Sequence, residues 1–317
     1  MSYTIIKPAD RQGWLAEREK GIGSSEVGTI LGLNPWQTPY QLWRRKKGLD
    51  APQQENEAMK AGHILEGAVA TFFENETDRK VIKASEGDWL AVDNAKEFLR
   101  VSPDRTYWLD GKRTKYNKGI LECKTTSLDV SADDVPSHWF VQLMYQLGVM
   151  GLEQGSLAWL TRGRKFGYLD VHFDADLYAY MVEKLEKFWV DCINGDKVPE
   201  AVSIDDINIM FPKSTGKALE ATEEMVERVT SLRSVKMQID TLTSQKKEIE
   251  DAIKMAMTDC DSLVLPGSEE ANPRILCTYK SAKDSMKFDE KRFAEEHPDI
   301  YQQYLHSVSG SRRFLLK

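Results

Sequence analysis

The chain has 317 residues, of which 41% are hydrophobic, and its formal net charge is −7. This length is enough to bury a sizeable core and to hold one large domain with an appendage. The four cysteines are scattered without a C-x-x-C pair, which argues against a disulfide framework or a zinc knuckle. No apolar run is long enough to span a membrane, and the N-terminus lacks a signal-peptide pattern, so we expect a cytoplasmic location.

The first distinctive segment runs from Arg18 to Val27 and reads REKGIGSSEV. A serine at a helix start can cap the first turn, and the free backbone N–H groups there can bind an anion that an arginine completes. We therefore expect Ser24 or Ser25 to cap a helix over 26–31, with a phosphate site beside Arg18. The alternative is that the serine is only a helix cap.

The next segment combines aromatic and basic residues. We expect the aromatic side chains of Trp36, Tyr40 and Trp43 to lie in the core rather than to stack on bases. Affinity for a phosphate backbone depends on local lysines and arginines, so the negative net charge does not exclude a nucleic-acid partner. Seven cations fall between residues 11 and 47: Arg11, Arg18, Lys20, Arg44, Arg45, Lys46 and Lys47. For the block 44–47, a DNA contact and a solvated helix end remain equally open.

Three acids and one lysine follow in chain order. Glu66 lies in a helical pattern, where a solvent-facing glutamate is the simpler interpretation. Asp104 follows Pro103 at a turn, which is a common position for aspartate. Glu122 and Lys124 are two residues apart, so in a strand they share one face. We expect strands over 98–102 and 119–124 to pair in one sheet, with 107–109 near them, which would bring Asp104 and Glu122 to one hard divalent cation.

The pattern after this strand predicts a helix over 137–150, a hairpin of strands over 155–160 and 167–173, and a further helix that ends before Pro199. Gln142 and Gln146 lie four residues apart on a polar stripe of the first helix. Both could face a groove, or both could form an ordinary polar helix face.

The C-terminal third has a different pattern. A connector over 201–217 precedes one long helical pattern over 219–257, with apolar residues spaced by three and four. Lys246 interrupts that seam, so a helical hairpin, self-association and packing on the N-terminal domain all remain open. We then expect a small hairpin around Pro266-Gly267, a helix near 289–296 and a terminal strand over 312–316.

Together these segments resemble the YqaJ-type viral recombinase family, relatives of bacteriophage lambda exonuclease within the PD-(D/E)XK nuclease superfamily. The order of Glu66, Pro103-Asp104, Glu122-x-Lys124 and Gln142 matches the family. So does an arginine followed by a Gly-Ile-Gly turn and, seven residues after the arginine, by a serine. The resemblance covers about residues 11–199 and is looser afterwards. It implies an α/β (α+β) fold, with a mixed central sheet flanked by helices over 1–200 and a long-helix and small α+β appendage over 218–317.

The resemblance also implies roles for individual residues. Asp104, Glu122 and the backbone carbonyl of Cys123 would hold Mg²⁺ or Mn²⁺, Glu66 would be a further acid and Lys124 the catalytic lysine. A second set would bind the DNA phosphate, and it consists of Arg18, Ser25 and Gln142.

The implied activity is a 5′-to-3′ exonuclease on double-stranded DNA ends in phage or prophage recombination. Relatives often form homo-oligomeric rings and work with a single-strand annealing protein. An endonuclease or structure-specific nuclease, a non-catalytic DNA-end-binding scaffold and an RNA-directed nuclease are the alternatives.

Overall fold

The computed structural model describes residues 2–51, 56–82, 89–109, 117–267, 273–308 and 310–317. It divides the chain into two compact units, which are unit 1, Met1–Met210, and unit 2, Phe211–Lys317. Part of the predicted connector belongs to unit 1, because residues 204–210 form a helix. Asp206 in that helix is fully buried and accepts a hydrogen bond of 2.8 Å from the Thr38 hydroxyl.

Unit 1 contains nine strands and seven α-helices among its described residues. The strands are β1 (Tyr3–Ile6), β2 (Ile22–Gly23), β3 (Val81–Ile82), β4 (Leu90–Asp93), β5 (Leu99–Val101), β6 (Arg105–Trp108), β7 (Lys118–Thr126), β8 (Gln154–Thr161) and β9 (Lys165–His172). The helices are α1 (Arg11–Glu19), α2 (Ser24–Ile30), α3 (Pro39–Lys46), α4 (Glu57–Thr77), α5 (Ser137–Met150), α6 (Ala175–Lys187) and α7 (Ile204–Met210), and a π-helical segment, Phe188–Asn194, follows α6.

Local sequence explains where several of these helices begin and end. The side chains of Asp10, Thr38, Asn56 and Asp174 accept hydrogen bonds from backbone N–H groups in the first turns of α1, α3, α4 and α6. Helix α5 has the predicted bounds and ends at Gly151, whose φ of 63° suits a residue without a Cβ. The prediction of a serine cap for α2 was wrong, because Gly23 is the N-cap and α2 begins at Ser24.

The strands form two sheets in unit 1. One has the order β3-β6-β7-β8-β9, and β7 and β8 are its parallel neighbours, joined through α5. The other has the order β1-β4-β5-β2. The predicted hairpin is the antiparallel pair β8–β9. The predicted pairing of 98–102 with 119–124 was wrong, because β5 belongs to the second sheet and it is β6 that pairs with β7.

The core lies on both faces of the five-stranded sheet. Ile120 belongs to the larger hydrophobic cluster, which includes much of α5, whereas Leu121 belongs to a smaller cluster with Val69 and Phe73 of α4. Successive residues of β7 therefore point to α5 and to α4 in turn, as the two-residue period of a strand requires. The mixed α+β fold with helices on a central sheet, expected from the sequence, is confirmed by this arrangement.

Unit 2 contains a 35-residue helix, α8 (Glu223–Met257), a hairpin of β10 (Ser262–Val264) and β11 (Ile275–Thr278), and two short helices, α9 (Glu290–Glu296) and α10 (Pro298–Tyr304). The long helix, the hairpin and the helix near 289–296 confirm the predictions. The predicted terminal strand was wrong, because residues 312–316 have no regular secondary structure. In the part of the chain that the structure describes, no helix is long and apolar enough to cross a membrane.

Candidate active site

The loop between β5 and β6 brings Asp104 to the middle of β7. Arg105 is the first residue of β6 and lies opposite Leu121, so Asp104 comes beside the next residues of β7. The backbone N–H of Cys123 donates a hydrogen bond of 2.8 Å to Oδ2 of Asp104. The structure thus brings Asp104 close to Glu122, although through a different strand pairing from the one expected.

Glu122 and Lys124 point to the α5 side of the sheet, as the strand period predicts. Nζ of Lys124 lies 2.7 Å from Oε1 of Glu122 and also donates to Oε1 of Gln142 at 2.9 Å. Nε2 of Gln142 donates back to Oε1 of Glu122. Only 2% of Glu122 is exposed, so a carboxylate, an ammonium and an amide form one buried, mutually hydrogen-bonded cluster.

The charges in this cluster act on one another. Burial raises the pKa of the Asp104 carboxyl well above its usual range, and the negative charges of Glu122 and Glu66 raise it further. Burial lowers the pKa of Lys124, but the carboxylates of Glu122 and Asp104 outweigh that effect and leave this pKa raised. The carboxylates of Asp104 and Glu122 therefore share one partly buried site, and the Lys124 ammonium lies on the side of that site that faces α5.

Such a cluster fits a hard divalent cation, because bringing one in would offset the repulsion that raises the Asp104 pKa. The described residues contain no group of three His, Cys, Asp or Glu side chains arranged to hold a metal. The two carboxylates that could hold an ion are those of Asp104 and Glu122, and the Cys123 carbonyl was predicted as the third ligand.

Glu66 and Cys123 take positions at the edge of this cluster. The Glu66 side chain of α4 is half-buried and accepts a hydrogen bond from the Arg105 guanidinium, so it is not the solvent-facing residue that the sequence favoured. Cys123 packs against the smaller hydrophobic cluster on the other face of β7, as predicted from the strand period. Burial and the nearby carboxylates raise the pKa of its thiol well above the usual value. The thiol is thus neutral and directed away from the Glu122 and Lys124 side chains.

The predicted phosphate pair is brought together at the start of α2. The Arg18 guanidinium donates a hydrogen bond to the exposed hydroxyl of Ser25, and it lies 5.3 Å from the centre of the Trp14 ring. Ser24, the residue before, is buried and accepts a hydrogen bond from Gln146 of α5. The Arg18–Ser25 pair is therefore linked to the Glu122 cluster through neighbouring residues of α2 and α5.

The basic block at the end of α3 has internal partners. Arg45 and Lys46 both form ion pairs with the buried carboxylate of Glu26, and only 1% of the Lys46 side chain is exposed. Arg44 pairs with Asp50 at 2.7 Å. The cations around Glu26 lower its pKa, although burial acts in the opposite direction. Neither of the two open interpretations describes Lys46, which is a buried structural cation.

Sequence reasoning placed the aromatic residues of this region in the core, and this was wrong for one of them. Tyr40 is buried and the Trp43 indole donates to the Cys192 carbonyl, but 73% of Trp36 is exposed. The Trp36 ring meets the His138 ring edge to face, with 5.3 Å between ring centres. Burial lowers the pKa of His138 and the positive charge of Lys124 lowers it further, so this histidine lies within electrostatic reach of the cluster.

His138 was missed from the sequence, although a signal for it exists. His138, Gln142 and Gln146 are spaced by four residues on α5, so they follow one stripe of the helix. The stripe begins half-buried beside Trp36 and ends at Gln146, which is fully buried. A polar stripe on an otherwise apolar helix therefore marks the face that meets Glu122.

Comparisons with known proteins identify the family of this chain. The YqaJ-like viral recombinase domain matches residues 13–153. The uncharacterized protein YqaJ of Bacillus subtilis (strain 168) is 30% identical over 319 residues, which span 97% of this chain and 94% of that protein. The chain therefore belongs to the YqaJ-like viral recombinase family.

Two solved structures were also matched. The alkaline exonuclease LHK-Exo from Laribacter hongkongensis is 16% identical, with a TM-score of 0.45 over 58% of this chain and 93% of that one. A phage related exonuclease from Haemophilus somnus 129PT is 12% identical, with a TM-score of 0.40 over 55% of this chain and 95% of that one.

Proposed function

We propose that the chain is a metal-dependent deoxyribonuclease that degrades double-stranded DNA from its ends as a 5′-to-3′ exonuclease. The observation that carries the proposal is the partly buried cluster of Asp104, Glu122, Lys124 and Gln142, in which a pair of carboxylates adjoins a lysine. Membership of a viral recombinase family supports DNA as the substrate. The polarity and the dependence on ends rest on the resemblance to lambda exonuclease.

Asp104, Glu122 and the Cys123 carbonyl are the groups that would hold Mg²⁺, or Mn²⁺ in its place. When bound, the ion would polarise the scissile phosphate and lower the pKa of a water molecule for in-line attack. Glu66 would stay outside this set, since its carboxylate is engaged by Arg105.

Lys124 would act on the same phosphate from the α5 side. Its ammonium is held by Glu122 and Gln142, so its position is set before a substrate arrives. A preorganised positive group of this kind orients the attacking water and stabilises the negative charge that develops on the phosphate. The amide oxygen of Gln142 accepts from Lys124, and its amide nitrogen donates to Glu122. Gln142 would therefore keep Lys124 in place or contact the phosphate itself.

Arg18 and Ser25 would bind the terminal 5′-phosphate of the DNA. A guanidinium offers two parallel N–H groups to a phosphate. The exposed Ser25 hydroxyl accepts a hydrogen bond from the Arg18 guanidinium, so both groups could bind the same phosphate. A grip on the end phosphate explains why the enzyme would start at ends rather than within a duplex.

The partners in this proposal come from the family resemblance. They are a single-strand annealing protein and further copies of the chain in a ring, within a bacterial host that carries the phage or prophage. Size-exclusion chromatography with light scattering would measure the number of copies.

The test is a cleavage assay with Mg²⁺ or Mn²⁺ on linear duplexes labelled at the 5′ or the 3′ end and on closed circular DNA. We expect mononucleotides from 5′ ends, no attack on circles and no activity without the ion. The Glu122→Ala variant should be inactive, and Glu183→Ala, which removes an exposed glutamate of α6, should match the wild type. Nicked circles would favour an endonuclease. DNA binding without cleavage of any substrate would favour a scaffold.

A further inference from the structure

Gln146 of α5 contacts the proposed cleavage cluster and also the residue next to the proposed phosphate-binding pair. Its Nε2 donates to Oε2 of Glu122 at 2.9 Å and to the Ser24 hydroxyl at 3.1 Å. Ser24 is next to Ser25 of the Arg18–Ser25 pair. One amide therefore links the carboxylate in the proposed cleavage cluster to the segment that would bind the end phosphate.

The packing of α2 on α5 makes this link short. A Cβ added to Gly28 of α2 would come within 2.7 Å of the Cβ of His138 on α5, so only glycine permits this close approach. The two helices can then lie near enough for a glutamine side chain to span them. Gln146 is fully buried, so water does not compete for its two hydrogen bonds.

The orientation of the amide follows from its neighbours. If the amide were reversed, Oε1 would face the Glu122 carboxylate, and two acceptors would meet with no proton between them. With Nε2 toward Glu122, Oε1 has no donor among the described residues. Leaving a buried carbonyl unpaired costs about 1–3 kcal/mol. The amide nitrogen offsets this cost by donating to the Glu122 carboxylate and to the Ser24 hydroxyl, so the role of a glutamine here lies in those two contacts.

The geometry points to Gln146 as a positioning residue that holds the Glu122 carboxylate in register with the phosphate-binding segment. This inference rests on the proposed nuclease function. A partner that orients a catalytic carboxylate typically changes activity by about 10- to 100-fold when it is lost, without contacting the substrate. Here the same amide also fixes Ser24, so its loss should reduce the advantage of a phosphorylated end.

The test compares three single variants of the full chain with a double variant that combines Gln146→Met and Ser24→Ala. Gln146→Met removes both hydrogen bonds and keeps the volume, and Ser24→Ala removes one of them. Tyr145→Phe is the matched control, because the neighbouring Tyr145 hydroxyl also makes two buried hydrogen bonds, with the Arg100 N–H and the Ile22 carbonyl. For each variant, kcat and KM are measured on 5′-phosphorylated and 5′-hydroxyl duplexes, together with Tm.

We expect Gln146→Met to lower kcat by about 10- to 100-fold, to change KM little and to bring the two kinds of end closer to equal rates. Ser24→Ala should lower kcat by about 2- to 10-fold, the equivalent of one hydrogen bond. Because both variants break one link, the double variant should be no slower than Gln146→Met. Tyr145→Phe should lower Tm but keep the wild-type kcat and end preference.

Three results would overturn the inference while the proposed function stands. The first is a kcat of Gln146→Met within twofold of that of an active wild type. The second is a double variant whose loss of kcat equals the combined losses of the two single variants. The third is a Tyr145→Phe variant that loses as much kcat and end preference as Gln146→Met. If Gln146→Met does not fold, Ser24→Ala decides, since full kcat and full end preference in that variant contradict the link. Failure of the wild type to cleave either end would instead overturn the proposed function, and the inference with it.

Discussion

Both units of this chain are rich in helix, but their helices are packed differently. Unit 1 packs α4 and α5 on opposite faces of a five-stranded sheet, and each helix contributes to a hydrophobic cluster. In unit 2, Met257 is the one buried hydrophobic side chain among the described residues, and the apolar seam of α8 is exposed. An amphipathic period therefore predicts a helix in both units, but burial depends on whether another element covers the apolar face.

The difference explains why the proposed chemistry lies in unit 1. A catalytic group has to be held in place by packed neighbours and by hydrogen bonds from a rigid scaffold. Glu122, Gln142 and Gln146 have both kinds of support. Several charged residues of α8 pair with each other on an exposed helix surface, as Lys246 does with Glu250 at 3.4 Å. Such pairs contribute little to stability.

The largest expected effect compares one lysine from each unit. Lys124→Ala should reduce cleavage by about 10³-fold, since it removes a preorganised positive charge at the scissile phosphate, while DNA binding and folding remain close to wild type. Lys246→Ala on α8 should leave cleavage unchanged. Single-turnover rates and filter binding measure both. Normal turnover by Lys124→Ala would remove this lysine from the site.

A leucine from each unit tests the difference in burial. Leu143 is fully buried on α5, so Leu143→Ala should lower the free energy of unfolding of unit 1 by about 2–5 kcal/mol. Leu242 is 63% exposed, so Leu242→Ala should change stability by less than about 0.5 kcal/mol.

Two signals separate the units in this experiment. All 8 tryptophans precede residue 190, so fluorescence in urea reports on unit 1 alone. Circular dichroism at 222 nm reports the helices of both units, so the part of its change that does not coincide with the fluorescence transition follows α8. A loss above about 1 kcal/mol in Leu242→Ala would show that the seam of α8 is covered in solution, and would weaken the contrast between the units.

An arginine from each unit tests the phosphate grip. Arg18→Ala should lower the rate on 5′-phosphorylated ends by about 10-fold or more and the rate on 5′-hydroxyl ends much less, because a charge-assisted contact is lost only in the first case. Arg228→Ala removes an exposed arginine that pairs with Glu224 and should affect neither rate. Equal losses on both ends in Arg18→Ala would contradict a phosphate site at Arg18 and Ser25.

The smallest effect concerns acid stability. Burial raises the pKa of Asp170, but hydrogen bonds from Arg79 and Ser156 outweigh it and leave this pKa lowered. A carboxyl whose folded-state pKa lies below the unfolded value of about 3.9 stabilises the fold above that pH, and the contribution is lost as pH falls through the folded pKa. Asp170→Asn should therefore cost about 1 kcal/mol at pH 7 and less at pH 3.

The matched change in unit 2 is Glu250→Gln, on an exposed surface pair. It should change stability by less than about 0.5 kcal/mol at either pH. Urea unfolding followed by fluorescence for Asp170→Asn, and by circular dichroism for Glu250→Gln, gives both values. A cost for Asp170→Asn that is the same at pH 7 and pH 3 would show that its charge contributes nothing.

Local features of this chain could be predicted because they depend on neighbouring residues. The shared face of Glu122 and Lys124 follows from the two-residue period of a strand, and the bounds of α5 follow from its apolar pattern and Gly151. The order of the acids, the lysine and the glutamine was sufficient to suggest the family, which the comparisons confirm.

The tertiary structure decided which distant residues meet. Asp104 reaches Glu122 because β6, and not β5, pairs with β7, and strand partners are chosen by long-range packing that short sequence patterns do not contain. The exposure of Trp36 and the burial of Lys46 also depend on residues that are distant in the sequence. Trp36 meets His138 of α5, and Lys46 pairs with the Glu26 carboxylate of α2. The sequence by itself determined the chemical groups and many of the helices and strands, because these depend on neighbouring residues, whereas only the packing of α2, α5 and β7 brought those groups together.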